Sequence, residues 1–329
     1  MAGELKTLKE ITAPIFEDIK LFEREIREAL TSEVRLANTI GKYIVKHKGK
    51  HIRPILTILS ARLCGTPTMN SYKAATLIEL IHLASLIHDD VVDESTKRRG
   101  FPSINWVWKN KVAVLMGDFI LSRALINLVG LRDFEALELI SETAEQLSSG
   151  EFLQIEKSRS KTMTEPIYYD MIYKKTASLI ATSCQLGAIT ATHDAKDRQA
   201  MREFGENLGM AFQIKDDTFD LLGSERKTGK NMGIDIKKNI LTLPLIYSYH
   251  HLTRVEARQV KKILQMKKKS KKDLQELKQI IEASGGFAFA QEKIEDFSER
   301  ALNAIAQYPD SIYKDALKDL VNYNINRDH

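Results

Sequence analysis

Cysteine is nearly absent: Cys64 and Cys184 are the only two in 329 residues. Two thiols so far apart make no disulfide framework, and with no Cys/His spacing pattern around them they argue against zinc. A reducing, cytoplasmic setting is expected. Proline and glycine are sparse, at 7 and 16 residues, which disfavours turn-rich sandwiches and barrels. Residues 1–20 alternate acidic, basic and apolar side chains without an apolar run, so they read as neither a secretory signal nor a membrane span. A soluble protein is expected. Charge of one sign is not in large excess, since a net +5 does not call for nucleic acid. No Pro/Gly/Ser linker, low-complexity tract or fixed-period repeat divides the chain, so residues 1–329 are expected to form a single domain.

What is present is Leu, Ile, Ala, Lys and Glu at helical spacing, which predicts an all-α fold. Breaks are expected near residues 65–70, 96–102, 158–166, 193–194, 223–239 and 267–272, where turn-forming or charged residues gather. The lysines crowded into residues 261–272 read first as a solvated helix end and loop. A weak contact with an anionic membrane surface is the sharper alternative, useful only for a greasy product. Residues 74–87 leave almost no polar face, the mark of a helix buried inside a large protein. Directly after them come His88, Asp89, Asp90, Val91, Val92, Asp93 and Glu94. A buried helix thus ends in carboxylates.

Asp89 and Asp93 are four residues apart and stack one turn above the other on a helix. Carboxylates so placed repel unless a cation lies between them. Mg²⁺ takes hard oxygen ligands and commonly shares its shell among one or two carboxylates, water and a substrate phosphate. Gln213, Asp216, Asp217 and Asp220 repeat the pattern behind a second apolar stretch at residues 208–212. One such cluster would more often be a solvated surface turn; two, each behind a buried segment, point to metal and diphosphate. Lys50 and Arg53 precede the first cluster, and Arg98 and Arg99 follow it. Arginine offers phosphate a forked pair of donors and lysine a point charge. Pro54 suits the first turn of a helix, where the dipole also favours an anion. His82, two turns before Asp89, shares its side of the helix. Lys175 and Thr176 offer an ammonium and a hydroxyl in a segment otherwise suited to packing. No convincing Ser-His or Cys-His arrangement is present.

Seven ordered motifs carry a resemblance: GKxxRP at residues 49–54, DDxxD at 89–93, RRG at 98–100, GD at 117–118, GExxQ at 150–154, KT at 175–176 and FQxxDDxxD at 212–220. In these the chain resembles the trans-polyprenyl diphosphate synthases, most of all their long-chain, octaprenyl-type members. The resemblance implies roughly a dozen helices around a deep central cavity, and normally a homodimer. It implies that Asp89, Asp93 and Asp216 coordinate Mg²⁺ on an allylic diphosphate, three ions per site, with Asp90, Asp217 and Asp220 in support. Arg98, Lys175, Gln213 and Lys230 would grip that diphosphate. Lys50, Arg53, His82 and Arg99 would hold isopentenyl diphosphate, and Thr176 would lie beside the reacting carbons. One departure stands out: where the family usually has a lysine before Thr-Leu-Pro, this chain has Ile240, with Lys237 and Lys238 as the nearby substitutes.

The implied reaction is ionisation of the allylic diphosphate (geranyl, farnesyl or geranylgeranyl), condensation with isopentenyl diphosphate and elimination of a proton. Members of the family that stop early carry a bulky aromatic four or five residues before the first aspartate. Ser85 and Ala84 occupy those positions here, and Ile81 lies further down. One helical turn is about 5.4 Å, near the reach of one isoprene unit. A long product of roughly six to eight units is therefore expected. The alternatives are a farnesyl or geranylgeranyl synthase, a class I terpene cyclase and a silent partner subunit. A cyclase needs no second diphosphate site, and a silent subunit usually lacks one acidic motif.

Overall fold

The computed structural model describes residues 6–160, 162–222, 234–266 and 268–326. The chain opens with α1 (Leu8–Ile11), α2 (Phe16–Ala29), α3 (Arg35–Lys46), α4 (Ile52–Cys64) and α5 (Met69–Val92). A hairpin of β1 (Lys97–Arg98) and β2 (Phe101–Pro102) leads into α6 (Ile104–Leu131), α7 (Phe134–Ser160) and α8 (Glu165–Ile172). A π-helical turn, Tyr173–Ala177, joins α8 to α9 (Ser178–Ile189), and α10 (Ala195–Leu222) follows. The remainder is α11 (Ile234–Lys237), α12 (Leu243–His251), α13 (Arg254–Gln265), α14 (Lys271–Ala283), α15 (Gly286–Ala304) and α16 (Ile312–Asn326). The expected all-α class holds.

Helix α5 is the axis of the site. Its first turn is closed by Ser71, whose Oγ accepts from the Thr68 amide at 3.0 Å, a capping-box contact that satisfies an otherwise orphaned donor. It then packs against α4, α6 and α9. Ala74, Ala75, Leu77, Ile78 and Leu80 are each at most 1% exposed. Burial of each Leu or Ile contributes about 1.5–3 kcal/mol, and Leu77→Ala is expected to cost about 2–5 kcal/mol in denaturant unfolding. The helix is nevertheless less uniformly apolar than its sequence suggested, because Glu79 lies inside it at 2% exposure. Asp93 closes the helix, its amide donating to the Asp89 carbonyl at 2.8 Å.

The breaks read from the sequence recur as the α4–α5, α7–α8, α9–α10 and α13–α14 junctions and as the β hairpin. Residues 223–233 lie outside the described part. The α6–α7 junction was not foreseen, although Gly130 and Asp133 stand beside it. Arg132 adopts a left-handed conformation there, with φ 53°, and Asp133 Oδ1 caps α7 at the Ala136 amide, 2.9 Å away.

Two further devices aim side chains. In the hairpin, Lys97 faces Pro102 and Arg98 faces Phe101, and both central turn residues have positive φ, 52° at Arg99 and 81° at Gly100. Such φ values suit the right-handed twist of a two-residue hairpin. Glycine takes this region freely, whereas arginine there is strained by roughly 1–2 kcal/mol. The second device is the π turn, a local widening often found at functional sites, which carries Lys175 and Thr176.

Candidate active site

The acidic end of α5 meets α7 and the π turn. Asp89 is half-buried, and its carboxyl is pushed up to about 6, first by burial and then by the charge of Glu151, with Lys175 and Arg98 opposing. Lys175 forms an ion pair with Glu151 Oε1 at 2.6 Å and donates to Gln154 Oε1 at 3.1 Å. The π turn can come this close because position 150 is glycine: a Cβ there would lie 2.8 Å from the Lys175 amide nitrogen. Asp93, one turn beyond Asp89, is exposed and pairs with Lys238 Nζ at 2.9 Å.

On α10 a chain of hydrogen bonds fixes the second cluster. Thr176 Oγ1 donates to Gln213 Oε1 at 2.7 Å, and Gln213 Nε2 donates to Asp217 Oδ1 at 2.6 Å. The Tyr168 hydroxyl donates to Asp217 Oδ2 at 2.7 Å. Asp217, only 6% exposed, is pushed up to about 7 by burial, against those two hydrogen bonds. Asp90 plays the matching part on α5. It is 4% exposed, and Arg98 binds both its oxygens at 2.8 Å. In each cluster the second aspartate therefore faces inward and is fully engaged: Asp90 orients Arg98, and Asp217 orients Gln213.

A group of cations, the cationic wall, gathers at the start of α4 and on the hairpin, beside the middle of α5. Arg53 is lowered to about 10 by burial, with Glu79 opposing and Arg99 adding. Its Nη1 lies 3.1 Å from His82 Nε2. Burial, then Arg53, Arg99 and Arg98, hold His82 well below its ordinary range, so the ring stays neutral. Because arginine only donates, Nε2 must accept, which leaves the ring proton on Nδ1. Arg99, though partly open to solvent, is likewise lowered by desolvation. Its guanidinium sits over Gly49, where a Cβ would come within 2.3 Å of it. Glu79 offsets this positive charge from inside α5 and meets His51 Nδ1 at 3.1 Å. Lys50 Nζ bonds the Tyr323 hydroxyl at 2.9 Å.

These groups line a cavity of about 660 Å³ that brings together Lys50, Arg53, His82, Arg99, Gln213 and Asp216. Thr176 lines it too, with the apolar Leu56, Ile180 and Leu208 beneath. Lys230 lies outside the described residues. Ile240 is buried and takes no part in the cationic wall, whereas Lys238 reaches Asp93. Ala84 and Ile81 pack into the core, and Ser85, half-buried, donates to the His82 carbonyl at 2.9 Å. Asp220 is half-buried at the end of α10. The sequence reading left out Glu79, Tyr168, Tyr323 and Asn324, and gave Glu151 only as part of the GExxQ motif without a role. Only Glu79, one turn before His82 in an apolar helix, carried a signal there.

Among the described residues no three metal-ligating side chains converge into a cluster of their own. The donor set still suits a hard divalent cation that keeps few protein ligands and completes its shell with phosphate and water. The Asp89 carboxyl is raised first by burial and then by Glu151, and a cation held beside it would favour its ionised form.

A family model described as polyprenyl synthetase matches residues 34–282. The octaprenyl diphosphate synthase of Escherichia coli (strain K12) is 34% identical over 324 residues, spanning 98% of this chain and 99% of that protein. The all-trans-nonaprenyl-diphosphate synthase (geranyl-diphosphate specific) of Rhodobacter capsulatus is 34% identical, covering 97% and 98% of the two chains. Among solved structures, a polyprenyl synthase from Caulobacter crescentus CB15, complexed with calcium and isoprenyl diphosphate, superposes with a TM-score of 0.92. It is 30% identical over 98% of this chain and 99% of that one.

Proposed function

The chain belongs to the polyprenyl synthetase family, and from that footing we propose that its two aspartate-bearing helices and its cationic wall hold two diphosphates for head-to-tail joining. The protein is a trans-prenyltransferase that condenses isopentenyl diphosphate with an allylic diphosphate to give a long polyprenyl diphosphate. The arrangement that carries the residue-level reading is the cavity of about 660 Å³ lined by Asp216 and Gln213 together with Lys50, Arg53, His82 and Arg99.

Asp89, Asp93, Asp216 and Asp220 would hold divalent metal, magnesium in our reading and three ions per site, with Asp90 and Asp217 acting through Arg98 and Gln213. Bound there, the metal supplies positive charge that neutralises the departing pyrophosphate. Lys175, Arg98 and Gln213 grip the allylic diphosphate, and Lys238 takes the place that Ile240 leaves without a cation. Lys50, Arg53 and Arg99 fix isopentenyl diphosphate with its double bond within reach of the allylic carbon. Neutral His82 orients Arg53. The dry apolar walls below shield the allylic cation from water, and the small side chains at Ala84 and Ser85 leave room for a product of roughly six to eight units along α5.

We further propose a single domain and a homodimer. Helix α6 supports the second point: Trp106, Leu115, Leu125, Ile126 and Val129 are each more than half exposed, an apolar face large enough to call for a cover. By length and composition α6 would also cross a bilayer, so the occupant is decided by light scattering on the purified protein, which is expected to give twice the monomer mass. Incubation with labelled isopentenyl diphosphate, magnesium and each allylic primer, followed by product mass, tests the activity. Products no longer than farnesyl or geranylgeranyl diphosphate would contradict the long-chain reading.

A further inference from the structure

Helix α16 ends against the same cavity and carries an amide that nothing among the described residues satisfies. Asn324 is 3% exposed and lines the cavity with Lys50, Arg53 and His82. Among the described residues neither its Nδ2 nor its Oδ1 has a hydrogen-bond partner, and Arg53 Nε in the same cavity has none either. Its neighbour Tyr323 already holds Lys50 Nζ at 2.9 Å.

Burying an amide with both ends unpaired destabilises the free protein, whereas an aliphatic side chain of like size would fill the space without that penalty. A polar group kept in such a place implies a partner that arrives later. The two unpaired donors, Asn324 Nδ2 and Arg53 Nε, sit in a wall that gathers Lys50, Arg53 and Arg99, so that partner is an anion. We propose that Asn324 is a substrate-binding residue for isopentenyl diphosphate: Nδ2 donates to a diphosphate oxygen. Oδ1, which an anion would repel, accepts from Lys50 as its ammonium swings from Tyr323 toward the same diphosphate. The C-terminal helix thereby becomes part of the acceptor-substrate site. This rests on the reading of the cavity given above.

The test is Asn324→Leu, read by thermal melting with and without isopentenyl diphosphate and by steady-state kinetics. The expected variant melts at the same temperature as the wild type or higher when free, loses most of the stabilisation by isopentenyl diphosphate, and shows its KM raised about tenfold. The KM for the allylic primer and kcat at saturation stay unchanged. A variant that melts lower when free but keeps the wild-type ligand shift and KM assigns Asn324 a structural role and overturns the proposal. If leucine is not accommodated, Asn324→Ala carries the same KM expectation and the same refutation. A wild-type protein that isopentenyl diphosphate does not stabilise at all contradicts the reading of the cavity instead.

Discussion

Arg98 holds Asp90 by two parallel hydrogen bonds of 2.8 Å, Nε to Oδ2 and Nη2 to Oδ1. This fork ties the hairpin to the end of α5 and sets where the guanidinium can meet a phosphate. Asp90→Ala is expected to lower kcat/KM tenfold or more, ~1.4 kcal/mol or greater, with most of the effect in the KM of the allylic substrate. Arg98→Lys should fall similarly, because an ammonium cannot make the fork. Wild-type kinetics in Asp90→Ala would show that the pair does not position Arg98.

Lys238 pairs with Asp93 at 2.9 Å, and in the proposed site it supplies the cation that Ile240 does not. Lys238→Ala should therefore raise the KM for the allylic diphosphate by about tenfold, ~1.4 kcal/mol, while Lys237→Ala leaves it near wild type. Removing Lys238 also takes a competing cation from Asp93, so calorimetric binding of magnesium to the substrate-free protein should be unchanged or tighter. Equal effects of the two lysines would refute this assignment.

The raised carboxyls predict a pH dependence. In the unfolded chain an aspartate titrates near 3.9, whereas Asp89 stands at about 6 and Asp217 at about 7 in the fold. The folded state thus keeps protons that the unfolded chain has released. Their contribution destabilises the metal-free protein progressively as pH rises from about 4 through 7. Magnesium must displace the proton on Asp89, so its stabilising shift should be larger at about pH 8 than at about pH 5.5. Melting curves at the two values decide this, and equal shifts would count against metal binding at Asp89.

Product length should answer to the residues one turn before Asp89. Ser85→Phe or Ala84→Phe is expected to shorten the product by several isoprene units while leaving turnover of short primers within about threefold, ~0.7 kcal/mol. Mass analysis of the products reads this directly. Unchanged lengths in both variants would place the growing chain elsewhere.

Gly49→Ala puts a methyl where the Arg99 guanidinium sits, 2.3 Å from its carbon. The far end of a long side chain can move away, so folding should survive. The KM for isopentenyl diphosphate should rise about tenfold, ~1.4 kcal/mol, and the allylic KM should not. An equal rise in both constants would place Arg99 between the two substrates.

Much of this site was legible in the sequence, for a physical reason. The DDxxD spacing repeats the helical turn, so Asp89 and Asp93 were bound to stack at the end of a helix whose apolar run already marked it as buried. The division of labour within each cluster was not legible. That Asp90 and Asp217 turn inward depends on how the chain folds back on itself, Arg98 from the hairpin just after α5 and Tyr168 from α8, 49 residues away. Glu151 and Lys175 were visible only as separate motifs, because the π turn that joins them leaves no signature in composition. Asn324, near the end of the chain, looked like an ordinary polar helix residue until its burial beside Lys50 and Arg53 was known. At Ile240 the sequence left Lys237 and Lys238 as equal candidates for the missing cation, and only the folded chain shows that Lys238 pairs with Asp93.

The most direct test is chain elongation by the purified protein with magnesium, labelled isopentenyl diphosphate and geranyl or farnesyl diphosphate, run beside Asp89→Ala and Asp216→Ala. The account predicts a long all-trans polyprenyl diphosphate from the wild type, abolished by a chelator and reduced at least a hundredfold in either variant, ~2.7 kcal/mol. Elongation that persists at full rate without divalent metal, or in both variants, would contradict it.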